Sequence, residues 1–459
     1  MNEFGITEGD LWSFTTADEL TAPHTPTPED GAVGVSVSTS LSWEDDNEPA
    51  GSVFFYVCIG TDESEVESMD YDDPDAINAL NAMTINPTSA GFPLSPGTTY
   101  YWKVIVTDFD EYVSSEVWSF TTGEAASVTW TLIDDAGDIG HRGYFDMAWN
   151  GSNIILYGGL VGADVATAVY DDSTYMWDGV AETWVSVATV ANAYKRAYHK
   201  MCYDGDGGVI LFGGQYPDPD NESMLAIDNY VYRFVDSNWE VIDVGQDSVM
   251  GFPFHRRNHA MAYDEVRNTA VLFSGQLLYQ GSWVLHNDTW EINLDNLSDL
   301  SWRSVSTSFT PPAVRYSGMA FIGDGTSGQV GIFGGLENAG NASSRTFLFD
   351  GANWAEVTGY SAPGVAAGHA FKGNPDVDEN YAVLVGGAIA TGISNTVYIF
   401  DGDTETWEMA APTAGSDPPP SLYCFGMAYD RTSGRFIIYG GYDETDTGQN
   451  LTYTLEVHR

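Results

Sequence analysis

From Trp130 onward the chain repeats one hydrophobic phrase six times. An apolar run ends in a glycine doublet at ILYGG (Gly158, Gly159), ILFGG (Gly213, Gly214), GIFGG (Gly334, Gly335), VLVGG (Gly386, Gly387) and IIYGG (Gly440, Gly441). The remaining copy, VLFSG, carries Ser274 and Gly275. Short continuous apolar runs bounded by turn residues predict strands covered on both faces. Each run is preceded by another strand-like segment, often written MAY or MCY and opened by an arginine in four of the six repeats. It is followed by an aromatic-rich strand such as NYVYRF, RTFLFD or NTVYIF. Then comes a strand led by Trp184, Trp239, Trp302, Trp354 or Trp407. Successive doublets lie 55, 61, 60, 52 and 54 residues apart. That is the length of one four-stranded antiparallel unit.

The last repeat runs through IIYGG to LTYTLEVHR without a tryptophan-led strand. A strand of that kind stands at the other end of the repeats, at Trp130-Thr-Leu-Ile. The first and last segments are therefore expected to share one sheet and close a ring, which removes exposed strand edges.

The first 125 residues carry a different pattern. WSFTT occurs at Trp12 to Thr16 and again at Trp118 to Thr122, 106 residues apart, the size of one β-sandwich. Between the copies, alternating runs at Ser40 to Trp43, Val53 to Ile59, Thr98 to Thr107 and Val113 to Thr121 predict antiparallel strands separated by turns such as DDNEPAG and LSPGT. The stretch from Asp62 to Pro87, which includes DPDAINALNAM, is expected to form a short helical insertion. LSPGTTYYWKVIVTD followed by VWSFTT resembles the final strands of a bacterial-type fibronectin type III domain over residues 22–125. By the same token residues 1–21 are the end of a preceding domain of that kind, and the chain reads as part of a longer, multi-module protein.

The glycine doublets, the tryptophan-led strands and the swapped closing strand together resemble a kelch β-propeller over residues 126–459. The resemblance implies an all-β protein: an immunoglobulin-like β-sandwich followed by a six-bladed propeller closed by an N-terminal strand. Glycine allows close backbone approach where the strands crowd, and the tryptophans fill the widening gaps between blades.

Charge narrows the function. The 459 residues carry 66 acidic and 16 basic side chains, a formal charge of −50, which excludes general binding to nucleic-acid phosphates or to anionic lipid. No apolar stretch is long enough to span a membrane. Cys58, Cys202 and Cys424 form no disulfide framework or zinc pattern and read as buried small side chains.

Seven of the basic residues, Arg142, Lys195, Arg196, Lys200, Arg256, Arg257 and Arg315, open the first strands of the repeats. Five of the eight histidines, His141, His199, His255, His259 and His369, join them. Gathered at one mouth of a ring, they would favour an anionic ligand. The kelch resemblance implies the same role for arginines at this repeat position. The candidate ligand-binding set is Arg142, Arg196, His199, Arg256, Arg257, His259, Arg315 and His369. The alternative for the R-x-x-H arginines is a structural one, serving loop carbonyls or neighbouring carboxylates. Acidic turns at Asp45 and Asp46, Asp204 and Asp206, and Asp401 and Asp403 are candidate calcium ligands, because calcium takes many oxygen donors.

The reading is a non-catalytic module, extracellular or at the cell surface, binding a protein or acidic glycan. No cofactor is expected apart from calcium at the acidic turns, and neighbouring domains of a longer chain are expected partners. A carbohydrate-active kelch enzyme, of the sugar mutarotase or oxidase type, is the first alternative. A structural unit of a surface layer, filament or virion appendage is the second.

Overall fold

The computed structural model describes residues 20–37, 39–47, 53–133, 139–189, 193–218, 221–242, 251–358, 362–375 and 380–459. The protein is all-β and divides into two compact units, 1–125 and 126–459. The first WSFTT copy lies outside the described residues.

In the first unit, a three-stranded sheet (His24–Thr27, Leu41–Glu44, Thr84–Ile85) accompanies a larger one built on Phe54–Gly60, Thr99–Thr107 and Trp118–Thr122. Leu41, Trp43, Phe55, Val57, Trp102, Val104, Trp118 and Phe120 share one core. A short helix forms within the Asp62–Pro87 stretch as expected, at Glu63–Ser68, ahead of DPDAINALNAM. There the Asp62 carboxylate accepts the Ser64 and Glu65 amides, and the first-turn acids Glu63 and Glu65 suit the helix dipole. DPDAINALNAM is not helical. Its Ile77–Leu80 segment pairs antiparallel with Phe54–Gly60, so the demand for a partner on that edge overrides the helical composition.

The second unit holds four four-stranded antiparallel sheets and one nine-stranded sheet whose two antiparallel halves, the fifth and sixth sheets below, are joined by a short parallel pairing; each of the six meets its neighbours through its first strand. Those first strands are Asp146–Trp149, Lys200–Tyr203, Ala260–Asp264, Gly318–Gly323, Ala370–Gly373 and Gly426–Asp430. The residue two before each of them forms a closed main-chain cycle. The amide of Tyr198 donates to the Tyr144 carbonyl (2.8 Å), Asn258 to Tyr198 (3.0 Å) and Tyr316 to Asn258 (3.2 Å). Gly368 then donates to Tyr316 (3.1 Å), Cys424 to Gly368 (2.8 Å) and Tyr144 to Cys424 (2.9 Å). All six have φ between 52° and 68°.

Just outside this cycle the glycine doublets bring neighbouring sheets together. A Cβ on Gly158 would lie 2.6 Å from the Arg196 carbonyl oxygen, and one on Gly213 would lie 2.5 Å from that of Arg256. Ser274 occupies the same left-handed conformation (φ 62°), with its hydroxyl held among the His286 carbonyl, the Val314 carbonyl and the Val314 amide.

Ser127–Ile133 forms the outer strand of the sixth sheet, antiparallel to Thr452–His458 with Trp130 opposite Leu455. The outer-strand tryptophans follow a rule. The indole of Trp239 donates to Thr174, that of Trp354 to Thr289 and that of Trp407 to Thr346, each at 2.9 Å, and that of Trp184 to Thr452 at 3.1 Å. In each case the acceptor lies on the third strand of the preceding sheet, opposite the residue just before the doublet position. Two sheets have valine there instead, Val231 and Val397. The tryptophans that share cores with those valines, Trp302 and Trp130, have buried indole nitrogens without a hydrogen-bond partner.

This pattern yields a two-way stability test. Thr289→Val should cost about 1–2 kcal/mol by orphaning the Trp354 indole, and Val231→Thr should add roughly 0.5–1 kcal/mol by supplying Trp302 with an acceptor. Urea titration reads both. A loss of stability on Val231→Thr would mean that the valine packing outweighs the missing bond.

Candidate functional site

The repeat arginines divide into two groups facing opposite ways. Arg142, Arg196 and Arg256 are 0–2% exposed. Each donates to the carbonyl at the first doublet position of its own sheet: Arg142 to Gly158 (3.0 Å), Arg196 to Gly213 (2.8 Å) and Arg256 to Ser274 (2.8 Å). Each also meets a carboxylate on the loop that follows, Asp171 at 3.2 Å, Asp228 at 3.0 Å and Asp288 at 2.6 Å. The expectation that these three present charge at a mouth is therefore corrected. Their donors are engaged inside the loops, where they hold each doublet in place.

His199, His259 and His369 also differ from expectation. They are buried and pack edge-on against Tyr157, Phe212 and Phe333 of the preceding sheets, with centroids 5.3–5.8 Å apart. Burial pushes His199 and His369 down to about 3 and His259 well below its usual value, so all three are neutral near pH 7. They line the floor of a cavity of about 50 Å³ rather than presenting charge.

Arg257 and Arg315 form the second group. Both sit one residue further along the repeat than the buried arginines, in bridges with Gln276 and Leu336. Arg257 donates to the Gln215 side chain, and Arg315 to that of Gln276 at 3.3 Å. The Arg257 guanidinium lies 3.7 Å from the Trp283 ring centroid and 5.0 Å from that of Tyr198, and Arg315 lies 6.0 Å from Tyr316. Ten of the twelve arginines have a carboxylate within 4.0 Å. Among the described residues Arg257 and Arg315 have none.

Beside them, Tyr144, Tyr198, Asn258 and Tyr316 rim the 50 Å³ cavity, with Gly368 and Cys424 completing the circle. Tyr144 lies 4.6 Å from Tyr198 and 6.5 Å from Tyr316, ring centre to ring centre. Burial pushes the Tyr144 and Tyr198 hydroxyls well above their usual range and Cys424 to about 12, so they are neutral hydrogen-bonding groups. The hairpins Gln215–Asp218/Asn221–Ile227 and Gln276–Tyr279/Ser282–Leu285 follow the doublets of the second and third sheets. The second hairpin presents exposed Leu278, Tyr279 and Trp283.

Sequence reasoning missed Tyr144, Tyr198, Tyr316, Gln215, Gln276 and Trp283. The readable signal was the position between the repeat arginine and the histidine level, where three tyrosines recur.

The acidic candidates do not converge. Asp204 is buried, accepts the Asp206 and Gly208 amides and pairs with Arg233 at 2.7 Å. Asp401 accepts the Asp403 and Thr404 amides, and Asp403 accepts from Asn380. Asp45 accepts from Asn47, and Asp46 meets His24 at 3.1 Å. Asp206 is exposed. Among the described residues no three His, Cys, Asp or Glu side chains are placed to hold a metal ion. In this structure these carboxylates close turns, the ordinary use of aspartate in tight loops.

Two outcomes test this assignment. Arg196→Met should cost about 3–5 kcal/mol by stranding the buried Asp228 carboxylate, whereas Arg257→Ala and Arg315→Ala should each cost less than about 1 kcal/mol. Equal losses in thermal melts would contradict the two-group division. The histidines add a pH dependence. Their folded values lie below the unfolded value of about 6.5, so their contribution is complete above pH 6.5 and fades as pH falls toward 3. By pH 5 the loss should reach roughly 2 kcal/mol per histidine. A His199→Gln/His369→Gln variant should lose less stability between pH 7 and 5 than the parent, as read by urea titration. An identical pH response would refute the assignment.

No family model matches the chain. Among solved structures, that of YjhT superposes with a TM-score of 0.52 at 13% identity, covering 70% of this chain and 99% of that one. At that identity the likeness concerns fold alone.

Proposed function

We propose that residues 126–459 form a six-bladed kelch β-propeller and residues 22–125 a fibronectin type III-like sandwich. In this reading the chain is a non-catalytic binding module, extracellular or at the cell surface, whose propeller mouth takes an anionic group of a protein or glycan. One observation carries the ligand assignment: in a chain of charge −50, Arg257 and Arg315 alone among the arginines lack a carboxylate partner among the described residues. Both are half-buried, so a ligand carboxylate or sulfate would meet guanidiniums already partly stripped of water. Trp283 and the tyrosines Tyr144, Tyr198 and Tyr316 supply flat apolar faces and hydroxyls beside the charge. That combination suits an acidic sugar ring or an acidic peptide. The surrounding negative field disfavours polyanions and leaves room for one or two ligand charges.

Screening glycan and acidic-peptide arrays with the parent chain and with Arg257→Ala/Arg315→Ala tests the reading. Hits should be anionic, should weaken at least about tenfold between 50 mM and 500 mM NaCl, and should vanish in the double variant while its melt stays within a few degrees of the parent. Hits that are neutral, or that survive the double substitution, would remove the two arginines from the site.

A further inference from the structure

Deeper in the channel, beyond the histidine level, the first strands carry a second polar cluster. Asp146 of the first strand and Lys200 of the second stand at equivalent positions, and Lys372 of the fifth lies two residues further in. The Lys200 and Lys372 ammonium groups lie 3.9 Å and 3.8 Å from the same Asp146 oxygen. The Asp146 carboxylate is 5% exposed and also accepts the Met201 amide at 2.8 Å. Two partly buried cations thus share one buried carboxylate, and the histidines above contribute no charge. An unbalanced charge inside a protein costs several kcal/mol unless a counter-ion is found. Consistent with this, burial outweighs the attraction of Asp146 and holds the Lys372 ammonium below its usual range.

Lys372 also lines a cavity of about 120 Å³ at the far ends of the first strands. Its walls include Met201, Met261, Met319, Tyr203 and Tyr263. The other charges there, Arg431 and Glu265, pair with each other. The cavity therefore offers a cation whose one carboxylate partner among the described residues, Asp146, is shared with Lys200, in a thioether and aromatic setting.

We propose that this cavity is a binding site for a small monocarboxylate with an apolar body, its carboxylate seated on Lys372 and its body against the methionines and tyrosines. The site is separate from the mouth: it uses other residues, at the opposite ends of the same strands. At the equivalent position the other five first strands carry Ala148, Cys202, Ala262, Ala320 and Ala428, so a lysine there is a departure from the repeat that core packing does not require.

Benzoate and its neutral isostere benzamide are suitable probes, titrated into the full chain at constant ionic strength and read by thermal shift and calorimetry. Benzoate should bind saturably and raise the melting temperature, and benzamide should do neither. Lys372→Met should abolish the benzoate effect and Lys372→Arg should retain it. Asp146→Asn, which leaves the amide acceptor but removes the competing charge, should tighten benzoate at least about fivefold. Arg257→Ala/Arg315→Ala should leave benzoate unaffected, which separates this site from the mouth. Absence of binding, equal responses to benzoate and benzamide, or a benzoate response that persists in Lys372→Met would overturn the proposal. If Lys372→Met does not fold, the opposed effects expected of Asp146→Asn and Lys372→Arg still decide it.

Discussion

The second unit depends on its innermost cycle of six main-chain hydrogen bonds. Each sheet contributes one residue whose amide points to the sheet before it and whose carbonyl points to the sheet after it. Holding that geometry requires a positive φ at all six positions, five of which are not glycine. A non-glycine residue in this region costs about 1 kcal/mol or more, so the cycle persists only because its surroundings determine it. The surroundings are the doublets and the buried arginines. The doublets bring the next turn of chain to within contact of the cycle, and Arg142, Arg196 and Arg256 tie the doublet carbonyls to aspartates on the following loops. Side chains at the cycle positions are then forced toward the axis, which is why tyrosines collect there.

The same constraint explains how much was legible in the sequence. Doublets, apolar runs and tryptophan-led strands are packing demands repeated six times, and repetition makes them readable. The direction of a particular arginine is not. Arg256 and Arg257 are adjacent, yet one is enclosed by its own loop and the other faces tyrosine and tryptophan, because successive residues of an extended chain point to opposite sides. Arg315 looked equivalent to Arg142 and Arg196, but it occupies the register of Arg257. Its fourth-sheet neighbour Val314 stands where the buried arginines stand. A one-residue offset therefore decides between strut and candidate site. Spacing to a downstream aspartate does not separate them either, since Asp288 lies 32 residues after Arg256 and 31 after Arg257, yet it pairs with Arg256 alone.

Acidity has a similar local logic. Carboxylates such as Asp324, Asp350 and Asp401 accept amides two and three residues onward, closing turns between strands. Bonds to those amides hold Asp324 and Asp350 below the usual carboxylate range even where they are largely open to solvent. Many acids thus have a geometric reason that has nothing to do with ligands, which is why acidic loop motifs were a poor guide to metal sites. Basic residues are scarce, so their placement is more informative: a cation without an acid nearby stands out against the rest of the chain.

The closing joint shows how the ring tolerates a defect. At four joints a tryptophan meets both an aromatic residue of the preceding sheet's second strand and the threonine paired with it on the third. Tyr157 with Thr174, Phe273 with Thr289, Phe333 with Thr346 and Tyr439 with Thr452 are the pairs. At the joint between the fifth and sixth sheets Trp130 meets neither, because Val385 and Val397 hold those positions. This is also where the strand comes from the far end of the unit, so the joint carries the entropy of closing the whole ring. The backbone supplies what the side chains lack. Ser127 and Val128 pair in parallel with Ala411 and Pro412 of the fifth sheet, while the same strand pairs antiparallel with Thr452–His458 of the sixth. The Thr413 amide donates to the Val128 carbonyl at 2.8 Å, and the Trp130 amide donates to the Ser416 hydroxyl at 2.6 Å. Held from both sides by main-chain bonds, the closing strand does not need the indole bond that four of the other five joints make.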